Sequence, residues 1–147
     1  DIGNADPRAL ALALDAWQAW ERLGTPEGEL ALAQAVVFLA CAAKSNATYT
    51  AWQAAQADVQ AHGSLAVPPP LRPASTGLAR SLGHGSGYRY AHDEPDAFAA
   101  GASYFPDDLG QQTYYQPVAR GLEQRIAEKL ADFRERNRAA RQAKPPV

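Results

Sequence analysis

LALAQAVVFLACAA, residues 30–43, decides the fold. Its fourteen residues contain a single polar side chain, Gln34. Alanine and leucine are strong helix formers, and a helix that is apolar around its whole circumference belongs in an interior, so the stretch predicts a central helix buried on nearly all sides. It falls short of the roughly 20 apolar residues that cross a bilayer. Thr25-Pro26 precedes it, predicting a threonine N-cap and a proline in the first turn. Lys44-Ser45-Asn46 ends it with a polar break.

Upstream, Asp6-Pro7 repeats the cap chemistry and Gly24 supplies a stop, which predicts a first helix between them. Arg8, Asp15, Gln18 and Arg22 form one narrow polar stripe on it. Leu10, Leu12, Leu14, Trp17, Trp20 and Leu23 occupy the rest, so most of this helix calls for burial. Downstream, a third helix carries Tyr49, Trp52, Ala55 and Val59 on one face and ends at His62-Gly63. These three make a helical core over residues 6–62. Residues 64–73 form a connector containing Pro68, Pro69, Pro70 and Pro73, and a short helix from about Thr76 to Leu82 follows it. From 83 to 117 the composition turns to Gly, Tyr and Pro. Tyr88-Arg89-Tyr90, Tyr104-Phe105 and Tyr114-Tyr115 read there as strand-like pieces, giving a small β-ribbon or irregular insert. Leu122, Ile126, Leu130 and Phe133 place a last helix over 118–138. Beyond Phe133 its only apolar residues before the tail are alanines, so its end is expected to project into solvent, with the domain closing near 142 and residues 143–147 frayed. The fold class is all-α.

At 147 residues the chain suits one domain. It begins at Asp1 and lacks methionine, and so reads as a fragment of a longer protein. Hydrophobic residues at 46% set it apart from disordered chains. Its net charge of −2 argues against a generally basic nucleic-acid binder, but the charge is uneven. Residues 1–119 hold 6 basic and 12 acidic side chains, and the last 28 residues hold 8 basic and 4 acidic ones. The lone Cys41 excludes an internal disulfide and a multi-cysteine zinc site. A reducing, cytoplasmic setting and an inert thiol inside an apolar helix are expected. Neither a signal peptide nor a membrane span is visible.

Candidate chemistry is sparse. Gly83-His84-Gly85-Ser86-Gly87 resembles a phosphate-cradling loop only in its glycines, since no Gly-Lys-Ser/Thr follows, so a tight structural turn is expected. His84, His92, Asp93 and Asp96 match no defined metal spacing. No catalytic, cofactor or metal residue is assigned. Tyr88, Tyr90 and Tyr104, with Trp17 and Trp20, are candidates for a subunit contact or for bracing it, because large aromatics are costly to leave exposed. Arg134, Arg136, Arg138 and Arg141 are candidates for DNA contact, although acids alternate with them as on a solvated helix face.

DIGNADP (1–7), PEGELALAQAVVFLA (26–40), KSNATY (44–49), LGHGSGYRYAHDE (82–94), YFPDDL (104–109) and YYQP (114–117), followed by Gly121-Leu122-Glu123, together resemble the C-terminal region of the replication-associated recombination protein A family of MgsA-type AAA+ ATPases. The blocks occur in order from Asp1 to about Leu130. The resemblance implies a helical bundle similar to the collar domain of clamp loaders, whose role is to join subunits into a homotetramer. It implies that ATP and Mg are held by an N-terminal module outside this chain. For the full-length family it implies DNA-stimulated ATP hydrolysis at replication forks, with DNA and single-stranded DNA-binding protein as partners. The chain departs from the family pattern at Ala43, Pro70 and Pro73. The alternative reading is a nucleic-acid-binding module built on the basic C-terminal helix.

Overall fold

The structure, a computed structural model, describes residues 1–143. It is all-α. Five α-helices, α1 (Arg8–Leu23), α2 (Glu27–Cys41), α3 (Ala47–His62), α4 (Gly77–Ser81) and α5 (Glu123–Gln142), are joined by loops that include 3-10 turns at Gly3–Ala5, Pro69–Leu71, Ala91–Asp93 and Pro95–Ala97. The described residues contain no strand. The chain divides into two compact units, residues 1–55 with 114–129, and residues 56–113 with those from 130 onward. The tail at 144–147, where fraying is expected, lies outside the described residues.

In the first unit α1 and α2 pack on small residues. Ala9 and Ala16 are the buried residues of α1, and Gly28 and Ala35 those of α2; each pair is seven residues apart and so lies on one helix face. A Cβ on Gly28 would lie 2.7 Å from the Trp20 Cα, so the first turn of α2 rides directly on the α1 backbone. Gly24 ends α1 at φ 66° and donates its N–H to the Trp20 carbonyl. The Asp6 carboxylate accepts from the Arg8 backbone N–H at 3.2 Å and from its guanidinium at 2.7 Å. Thr25 does not cap α2 as expected; its hydroxyl instead donates to the Glu29 carboxylate at 2.8 Å. At the far end of α2, Lys44 Nζ donates to the Leu39 and Ala40 carbonyls, satisfying acceptors that the helix leaves open. Buried Ser45 accepts from the Ala47 N–H at 3.1 Å and donates its own N–H to the Asp1 carbonyl at 2.8 Å, tying the start of α3 to the chain start.

The expected burial of residues 30–43 on nearly all sides is not found. Leu30, Leu32, Val36 and Val37 are exposed, and so is Cys41, which was expected inside. The closeness of α1 and α2 is the reason: the residues buried at their contact are Ala9, Ala16, Gly28 and Ala35, and the larger side chains are left at its margins or beyond it.

α5 starts at Glu123, five residues later than expected. Gly121 sits at φ 53°, where a Cβ would be 2.1 Å from the Ala5 carbonyl oxygen, and the Leu122 N–H donates to that same oxygen at 2.8 Å. This docking holds residues 118–122 out of the helix. Beside it Asn4 donates to the Tyr115 hydroxyl at 3.1 Å, and that hydroxyl donates to Glu123, whose side chain is fully buried.

In the second unit the end of α5 packs instead of projecting. Asn137 accepts the Gly101 N–H at 2.8 Å, and Ala140 lies where a Cβ on Gly101 would touch it. Arg141 donates to the Ala102 carbonyl at 3.2 Å and the Gln111 side chain at 2.8 Å. Phe133 stacks on Phe98 with ring centroids 4.3 Å apart. Residues 83–117 are irregular, with glycines at positive φ at 83, 85, 87, 101 and 110 and Asp96 and Ala97 also at positive φ, a backbone that cannot hold a continuous ladder.

Candidate assembly surface

On α1 the exposed large apolar residues are Leu10, Leu14, Trp17, Trp20 and Leu23, and on α2 Leu30, Leu32, Val36 and Val37. Leu30 is 70% exposed, Val36 65%, Trp17 59% and Trp20 46%. Leu10, Leu14 and Trp17 are spaced i, i+4, i+7, a single stripe along α1. The Trp17 indole N–H donates to Glu21 at 2.6 Å. An open groove of about 610 Å³ between the two helices is lined by Arg8, Leu12, Gln34, Val37 and Phe38, with the Arg8 guanidinium 5.4 Å from the Phe38 ring centre. Tyr49 and Trp52 on α3 are exposed as well. Fully burying one Leu or Val side chain is worth about 1.5–3 kcal/mol, so these partly exposed residues together favour a partner.

The three tyrosine candidates lie in the second unit, with Tyr88, Tyr90 and Tyr104 all more than half exposed. Tyr88 and Tyr104 line a groove of about 930 Å³ together with Pro68 to Pro70, Arg89 and Arg141. Tyr90 stands outside that lining, tilted against the His92 ring at 5.0 Å. Arg89 is locked in place, with Nε donating to Glu94 and Nη1 to the Ala100 carbonyl, both at 2.6 Å. The hydrogen bond from Arg89 holds the Glu94 carboxyl below its usual range, and the same bond raises Arg89.

The four arginines differ in their commitments. Arg136 is held 3.3 Å from Asp96 and 3.7 Å from Asp132, with its guanidinium over the Phe98 ring at 4.9 Å, which makes it a brace of its own unit. Arg138 pairs with Glu135 at 2.7 Å, both ends solvent-exposed. Arg134, Arg138 and Arg141 line one groove with Thr113 and Gln142.

The glycine loop spends its amides internally. The N–H groups of residues 83, 84, 85, 86 and 88 donate to the carbonyls of Arg80, Ala79, Pro69, Gly83 and Gly85 respectively. None of these five is left to cradle a phosphate, so the loop is a structural turn. His84 Nδ1 lies 3.2 Å from the Pro73 carbonyl, a backbone tether. Among the described residues no group of three His, Cys, Asp or Glu side chains could hold a metal ion, and no helix is long and apolar enough to cross a membrane.

Sequence reasoning marked Trp17 and Trp20 but missed Leu10, Leu14, Leu30, Val36 and Val37 as outward residues. The available signal was the seven-residue spacing of Ala9 with Ala16 and Gly28 with Ala35, which marks the face where two backbones approach closely. It also missed the network of Asn4, Tyr115 and Glu123, which needs residues far apart in the chain.

Residues 1–134 match a family model described as "MgsA AAA+ ATPase C terminal". The chain is 63% identical over 137 residues to the Replication-associated recombination protein A of Coxiella burnetii, covering 93% of this chain and 31% of that protein. It is 55% identical over 131 residues to the protein of the same name from Escherichia coli K12, covering 89% and 29%. It is 34% identical over 116 residues to the ATPase WRNIP1 of Dictyostelium discoideum, covering 79% and 13%. The chain therefore spans less than a third of the length of each of these relatives.

Proposed function

Because this chain belongs to the C-terminal family of MgsA-type AAA+ ATPases, we propose that it is the assembly domain of such an ATPase, joining four copies through the outward faces of α1 and α2. The observation that carries this reading is the inverted packing of those helices. Alanine and glycine are the residues buried at their mutual contact, and Leu14, Trp17, Leu30 and Val36 are left more than half exposed. A chain that acted alone would gain stability by turning those side chains inward. Trp17 and Trp20 are the aromatics this interface needs. Tyr88, Tyr90 and Tyr104 lie in the other compact unit and are not required by it.

The protein that carries this domain would act in replication-associated recombination, as the names of the relatives suggest, and, as the family resemblance implies, in maintaining replication forks. ATP and Mg would be bound by its nucleotide-hydrolysing module, with no residue of this chain contributing. DNA and single-stranded DNA-binding protein would be partners of the whole protein, in the cytoplasm. A nucleic-acid module using all four arginines of α5 is the weaker reading, since Arg136 is committed to Asp96, Asp132 and Phe98.

Light scattering on the purified chain tests the assembly. A particle of about four chain masses is expected at tens of micromolar, roughly where obligate interfaces persist. A particle of one chain mass across that range would remove the proposal.

A further inference from the structure

The groove at the end of α5 is built from donors. Thr113, Arg134, Arg138, Arg141 and Gln142 line about 450 Å³, each carries a side-chain hydrogen-bond donor, and no carboxylate is among them. The three arginines are spaced i, i+4, i+7, which puts them on one helix face. The partners found for Arg141 are the Ala102 carbonyl and the Gln111 amide oxygen, both uncharged, so those bonds fix the guanidinium without neutralising it. Among the described residues Arg138 pairs with Glu135, and with side chains 64% and 63% exposed that pair is weak and exchangeable. The site therefore suits a polyanion.

Arg141 also lines the neighbouring 930 Å³ groove, whose walls carry the exposed rings of Tyr88 and Tyr104. Asp107 is the one acid there, and Arg89 beside it is already matched by Glu94. A guanidinium face continuing into tyrosine faces is the pairing of features that binds a single strand, with phosphates on arginine and unstacked bases on aromatic rings. A duplex would use the arginines alone, and so would an acidic peptide, leaving the rings idle. The geometry points to a single-stranded nucleic-acid site on this unit, with phosphates over Arg134, Arg138 and Arg141 and bases stacked on Tyr88 and Tyr104. It stands apart from the assembly reading, since every residue it uses lies in one compact unit that a single copy supplies.

Fluorescence anisotropy on the whole chain tests it, using a labelled oligothymidylate of about 20 nucleotides, a duplex of the same length and a polyglutamate peptide. The single strand should bind best, and its affinity should fall as salt rises from about 50 to 200 mM. Replacing Arg134 and Arg138 together by alanine should cost about tenfold and lower the salt slope by about 1.4. Tyr104→Ala should cost about fivefold or more, and Tyr104→Phe, which keeps the ring, should restore binding. Arg138→Gln, at an exposed position that leaves the fold intact, should weaken binding by a smaller factor in the same direction. The site is overturned by any of three results: no salt-sensitive binding of the single strand, equal or tighter binding of duplex or polyglutamate, or unchanged affinity in the arginine variants.

Discussion

Gly121 is the position where one methyl group would do most damage to the first unit. Its φ of 53° is unfavourable for an L side chain, and a Cβ would lie 2.1 Å from the Ala5 carbonyl oxygen. Gly121→Ala should therefore cost at least about 2 kcal/mol, read from urea unfolding of the chain. The neighbouring network gives a second case. Glu123 is fully buried, with Oε1 accepting from Tyr115 and Oε2 unpartnered, so Tyr115→Phe would leave both oxygens of a buried carboxyl group without a protein donor. A loss of about 1–3 kcal/mol is expected. Burial first, and then the hydrogen bond to Glu123, raises the Tyr115 hydroxyl above its ordinary value of 10.0. A raised value means that the folded state favours the neutral phenol. Its stabilisation is complete below pH 10.0 and is lost as pH rises from there through the folded value, so wild-type stability should fall in that window and Tyr115→Phe should flatten the fall. Glu94 has the opposite sign. Its carboxyl is lowered by Arg89, so the brace is intact above the ordinary value of 4.5 and is lost as acid passes through the lowered one.

Among the elements, the helices whose ends depend on local chemistry were legible in the sequence, and those fixed by distant contacts were not. Asp6 with Gly24 bounded α1, and α4 opened at Thr76, which accepts the Ala79 N–H at 3.1 Å, where the short helix was expected. The start of α5 was misplaced because the Ala5 carbonyl, more than a hundred residues upstream, captures the Leu122 N–H. Its end was misjudged because alanines and polar residues can pack when the partner is a glycine loop, as Ala140 and Asn137 do on Gly101. Asn137→Ala should cost about 1 kcal/mol in thermal or urea unfolding through the lost Gly101 bond. The same cause hid half of the candidate surface. Hydrophobicity alone put the large residues of α1 and α2 inside, whereas the small residues set the contact. Gly28→Val should force the two helices apart and cost about 1–3 kcal/mol, while Val36→Glu on the outer face should leave the melting of a separated chain almost unchanged.

For the whole molecule, the proposed assembly role rests on the exposed apolar side chains of α1 and α2. The charge asymmetry of the sequence fits a second, separable role for the far end of α5. Neither was readable from composition. The first needed the burial of Ala9, Ala16, Gly28 and Ala35, and the second needed the difference between Arg136, which braces, and Arg134, Arg138 and Arg141, which share a groove. The most direct test of the central claim is sedimentation equilibrium of the wild-type chain beside Val36→Glu and Leu14→Glu, with helix content checked by circular dichroism. The wild type should sediment at about four times the 15.7 kDa chain mass, and both variants at a lower mass with helix content retained. A wild type at one chain mass, or variants that assemble as fully as the wild type, would contradict it.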